Sequence, residues 1–118
     1  MFDPALAKAI HDLSNLKDGW MEGRGVAPRR LDLERLSADL VEKFPPDIGY
    51  PAVVPTEEGN VSLEWIIPAA RVELEVNFSE NRLELYATDI EADTFVEESF
   101  DMADWDGAIG EIRSQLQR

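Results

Sequence analysis

The chain has 118 residues, 44% hydrophobic and 31% charged, with no cysteine, one histidine and a formal net charge of −14 from 25 acidic and 11 basic side chains. One domain with one core is the expectation at this length, and the ordinary apolar fraction makes the acidity a property of a folded surface rather than of disorder. Such a charge repels phosphate backbones and anionic bilayers, so no nucleic acid and no membrane is expected as partner; without cysteine there are no disulfides, thiolate chemistry or cysteine-type zinc sites.

Met1 to Lys8 lack the basic start and apolar run of a signal peptide, and no later stretch reads as a bilayer span. The expectation is a soluble, cytoplasmic protein. Asp3 before Pro4 predicts a helix start, an N-cap acceptor followed by a residue whose fixed φ suits the first turn. Leu6, Ala9, Ile10 and Leu13 recur at helical spacing with Leu16 close behind, and Lys17-Asp18-Gly19 reads as the stop. Trp20 to Pro28 is a loop punctuated by Gly23, Gly25 and Pro28. A second helix is expected from about Arg30, with Leu33, Leu36, Leu40 and Phe44 on one stripe, and Pro45-Pro46 ends it.

A short strand over Ala52 to Val54 and a turn at Thr56 to Asn60 lead into the most regular part of the chain. Val61, Leu63, Trp65 and Ile67 alternate with Ser62 and Glu64. Val72, Leu74, Val76 and Phe78 alternate with Arg71, Glu73, Glu75 and Asn77. Leu83, Leu85 and Ala87 alternate with Arg82, Glu84, Tyr86 and Thr88. A period of two predicts strands with one apolar face and one carboxylate-rich face. The tight connections Pro68-Ala69-Ala70 and Ser79-Glu80-Asn81 force an antiparallel meander. A fifth strand over Thr94 to Phe100 is harder to phase, because Phe95, Val96 and Phe100 do not alternate cleanly. Asp101 is expected to cap a last helix, with Asp104 three residues on and Trp105, Ile109, Ile112 and Leu116 as its apolar stripe. The predicted fold is α+β: two N-terminal helices, an antiparallel four- to five-stranded meander and a C-terminal helix, with the helices packed on one face of the sheet.

Antiparallel pairing keeps outward residues opposite outward residues, so Glu64 must fall near Glu73 or Glu75, and Glu84 near Glu75 or Asn77. Like charges opposed on a sheet cost stability. Three readings of this acidic face stand: a solvated surface diluted by Arg71 and Arg82, a docking site for a basic protein, or a cation site on Glu64, Glu73, Glu75 and Glu84. Tyr86 and Ile66 on the same face favour docking, since an aromatic among charges resembles an interface anchor. The candidate partner-binding residues are therefore Glu64, Glu73, Glu75, Glu84 and Tyr86. Trp65 and Trp105 read as core. Trp20 reads either as a plug between the first two helices or as an exposed anchor.

Other chemistry finds little footing. Asp104 and Asp106 ahead of Gly107 echo a calcium loop, but aligning them puts Met102 and Arg113 where acids are required. His11 is alone, so no histidine pair can hold a transition metal, and it would be the only base available to any serine. No serine sits in a nucleophile elbow, no glycine group forms a phosphate loop, and no cofactor or metal is implied.

Two segments resemble a widespread set of small bacterial proteins that have no established activity. One is Asp18-Gly19-Trp20, a following glycine and then Ala27-Pro28; the other is Val54-Pro55-Thr56-Glu57-Glu58-Gly59-Asn60-Val61-Ser62-Leu63-Glu64-Trp65. The resemblance implies a bacterial or phage origin and a small α+β domain, and it brings no functional residues. The expected function is that of a non-enzymatic acidic module, of antitoxin, immunity or inhibitor type, binding a basic protein through the outer sheet face. A secretion-chaperone-like dimer is the alternative, although such proteins usually place a helix between strands. The acidic face is expected to resist self-association unless Tyr86 and Ile66 dominate.

Overall fold

The structure, a computed structural model, describes residues 4–117. Its five strands lie in one antiparallel sheet in chain order: β1 (Ala52–Pro55), β2 (Val61–Ile67), β3 (Ala70–Asn77), β4 (Arg82–Asp89) and β5 (Thr94–Asp101). The connections, 56–60, 68–69, 78–81 and 90–93, are too short for a crossover, so each strand returns beside its predecessor. Helix α1 (Pro4–Asp12) runs into a 3₁₀ turn (Leu13–Asn15), followed by α2 (Arg30–Lys43) and, after the sheet, α3 (Trp105–Leu116). The α+β arrangement expected from the alternation is the one observed.

The period-two pattern does what it predicts. Val61, Leu63, Val72, Leu74, Val76, Leu83 and Leu85 all face the helices and are essentially inaccessible to water. They join Ile10, Leu36, Leu40 and Ile112 in one apolar cluster reached by all three helices. Burying each such side chain contributes about 1.5–3 kcal/mol, so this layer is the main force that fixes helices to sheet. Polar contacts then set the helix positions. Trp105 Nε1 donates to Asp39 at 3.3 Å, and Arg113 donates twice to Asp47 at 2.8 and 3.0 Å, joining α3 to α2 and to the segment after it. Trp65 Nε1 donates to the Gly49 carbonyl at 2.6 Å, while Phe44 stacks on both Tyr50 and Trp65.

Three local expectations need correction, and the Asp3 cap lies outside the described residues. Helix α1 stops at Asp12 rather than at Lys17: the backbone tightens to 3₁₀ over Leu13–Asn15, where Ser14 Oγ donates to the His11 carbonyl at 2.6 Å, and Leu16 is extended. The cap of α3 is Asp104, whose Oδ1 accepts from Gly107 N at 3.0 Å. Asp101 instead ends β5 and accepts from Ala103 N at 2.8 Å. Trp20 plugs no gap between helices and stands half-buried over its own loop. Its Nε1 donates to the Val26 carbonyl at 3.2 Å, and a Cβ on Gly25 (φ +94°) would meet that nitrogen at 2.9 Å.

Candidate functional site

On the face away from the helices, the register turns the alternation into rows. Glu64 pairs with Glu73, which pairs with Tyr86, which pairs with Glu97. The next row runs Ser62, Glu75, Glu84, Ser99. All five residues singled out from the sequence, Glu64, Glu73, Glu75, Glu84 and Tyr86, therefore share this face, and Glu64–Glu73 and Glu75–Glu84 are directly opposed pairs of like charge. Each such pair costs a few tenths of a kcal/mol.

The compensation is uneven across the sheet. Arg71 reaches both members of the first pair, Glu73 at 3.0 Å and Glu64 at 3.7 Å, and the Ser62 hydroxyl donates to Glu64 at 3.3 Å. Glu64 is correspondingly withdrawn, its side chain 17% exposed. Among the described residues, Glu75 receives only the Asn60 amide, at 3.3 Å. Arg82, expected to dilute the cluster, gives its guanidinium to the Ser99 hydroxyl at 3.0 and 2.8 Å. No hydrogen bond or ion pair reaches the carboxylates of Glu84 or Glu97 among the described residues. The face thus divides into a neutralised half around Arg71 and an open half around Tyr86.

Tyr86 registers that field. Its phenol is pushed above the ordinary tyrosine range first by desolvation and then by the charges of Glu75, Glu84, Glu97 and Glu73. Glu64 belongs to the Arg71 half. Glu97, which the sequence reading missed, belongs with Tyr86. The signal that could have found it is the phase of β5: Val96 and Phe100 face the helices, so Phe95, Glu97 and Ser99 face outward. Beyond Tyr86, the row Ile66, Arg71, Thr88, Phe95 ends in two exposed apolar side chains, Ile66 at 69% and Phe95 at 61%.

As chemistry, this surface can attract cations and anchor an apolar or aromatic group. Among the described residues, no group of three or more histidine or carboxylate side chains is placed to hold a metal ion. A groove of about 240 Å³ between α1 and α2 does bring His11, Ser14 and Ser37 together. There the Ser14 hydroxyl is committed to the His11 backbone carbonyl rather than to an imidazole nitrogen, which is no nucleophile–base pair.

The two segments that carry the sequence resemblance also meet. Val26 N donates to the Glu57 carbonyl at 2.7 Å, and Gly59 (φ +85°) leaves room for Val26, whose Cγ1 would stand 3.1 Å from a Cβ. Asp18 holds the loop shut by accepting from Ala27 N at 2.9 Å. A cleft of about 260 Å³ beside this junction includes Arg29, Asp32, Glu58 and Asn60. The Asn60 side chain is spent on Glu75 and on the Phe78 N–H, so the junction is explained as loop anchoring.

Comparison with protein-family models, curated proteins and solved structures finds no match to this chain. No helix among the described residues is long and apolar enough to cross a membrane.

Proposed function

We propose that this chain is a non-enzymatic, cytoplasmic protein-binding module of bacterial or phage origin that docks a basic protein on the outer face of its sheet. An inhibitor, immunity protein or antitoxin would use such a surface. The observation that carries the reading is the open half of the face: Tyr86 among Glu75, Glu84 and Glu97, with Glu84 and Glu97 unneutralised, on a sheet whose other side already satisfies the core. A folding role accounts poorly for opposed carboxylates, whereas a basic partner would neutralise them and gain steering and register. Ile66 and Phe95 supply apolar ground at one margin.

The reading is tested by capture from the host at low salt with the wild-type chain and with a Glu75→Gln, Glu84→Gln, Glu97→Gln variant. One basic protein held in stoichiometric amount by the wild type, released by a salt step and lost from the variant, is the expected result. Equal capture by both would overturn it.

A further inference from the structure

The sheet has two edges, and they are built differently. β1 has four residues, ends in Pro55 and is preceded by Pro51. Short edges with proline resist further pairing. β5 has eight residues and no proline.

Two hydrogen bonds fix which of its backbone groups are free. Met102 N donates to the Asn81 carbonyl at 3.0 Å, one step beyond the Asp101–Arg82 pair. Ile90 N donates to the Ala69 carbonyl at 2.9 Å, which sets the same phase from the far side of β4. Bonded and non-bonded pairs alternate along an antiparallel ladder. Thr94, Val96, Glu98 and Phe100 therefore bond to β4, and the N–H and C=O groups of Phe95, Glu97 and Ser99 point away from the sheet.

Charge selects the occupant. A second copy pairing about the middle of β5 would oppose the two Glu97 side chains or the two Glu98 side chains, on chains that each carry −14. A segment with positive charge meets the opposite situation. Cations on its outer side would lie beside Glu97. On its helix side a cation would lie beside Glu98, while flanking apolar side chains cover Val96 and Phe100, which β5 leaves half-buried.

We propose that the β5 edge accepts an extended basic segment of a partner protein as a sixth strand. This rests on the reading of a basic partner made above, but it assigns that partner backbone contacts at the edge in addition to side-chain contacts on the face.

The test uses the full chain and a synthetic peptide of alternating lysine and valine, about ten residues long, at low salt. Strand addition should slow hydrogen exchange of the Glu97 and Ser99 amides. Ser99→Pro, which removes an outward N–H and no bond to β4, should weaken binding about tenfold, whereas Ser99→Ala, which loses only the hydroxyl, should stay within about twofold. A peptide N-methylated at alternate residues along its pairing edge should fail to bind the unaltered chain, which keeps the test valid should Ser99→Pro fold poorly. Peptide binding that perturbs Tyr86 and Glu84 without protecting Glu97 and Ser99 would overturn the edge and leave the face. Protection that survives the Glu75→Gln, Glu84→Gln pair would uphold the edge and count against the face. No binding would overturn the edge proposal outright, and capture of a protein partner judges the face separately.

Discussion

The two faces of β3 carry opposite lessons. Val72, Leu74 and Val76 on one side are packed from every direction, and each is explained by the core it fills. On the other side Arg71 compensates Glu73 and Glu64, but Glu75 faces Glu84 with no cation between them among the described residues, an opposition that folding alone does not call for. One side is held in place by stability; the other keeps charges that stability would remove. The contrast makes the outer face the better place to look for function.

The contrast can be broken most forcefully from the inside. Leu74→Ala should lower unfolding free energy by about 2–5 kcal/mol, read by urea titration, because β3 is central and its neighbours cannot collapse into the gap. A loss well under 1 kcal/mol would mean that the layer is looser than described. Next in size is Asp104→Ala, which removes the α3 cap and should cost about 1 kcal/mol, while Asp101→Ala should cost α3 no cap bond.

On the outer face the sign should reverse. Glu75→Gln relieves the opposition to Glu84 and should raise stability by a few tenths of a kcal/mol. A clear loss would show that these carboxylates serve the fold. The subtlest test is alkaline. With the Tyr86 phenol raised above its ordinary value of 10.0 in the folded chain, its contribution is complete below that pH. It falls as pH rises through the folded value, because the unfolded chain gives up the proton more easily. Tyr86→Phe should flatten that part of the stability profile; an unchanged profile would remove Tyr86 from the carboxylate field.

How much of this was legible in the sequence follows from how many neighbours each segment has. Between Val61 and Thr88 every strand is flanked on both sides and must bury one face, so alternation fixed the phase and narrowed the pairings of Glu64, Glu73, Glu75 and Glu84. β5 has one neighbour and a half-covered inner side. Phe95 can point to solvent while Phe100 points in, and the phase that would have revealed Glu97 was blurred. Asp101 and Asp104 have equal claims as caps in sequence; the end of β5 decides between them. The early end of α1 is a tightening to 3₁₀ over Leu13–Asn15, which the apolar spacing through Leu16 does not encode. Whether Arg82 would neutralise Glu84 or turn to Ser99 was set by a strand pairing that no local pattern encodes.

The most direct test of the central claim is the affinity of a captured basic partner for the wild-type chain and for the Glu75→Gln, Glu84→Gln, Glu97→Gln variant, titrated calorimetrically at low and at raised salt. The variant should bind at least about tenfold more weakly at low salt, and the gap should narrow as salt is added. Equal affinities at both salt levels, from a variant that remains folded, would contradict that claim.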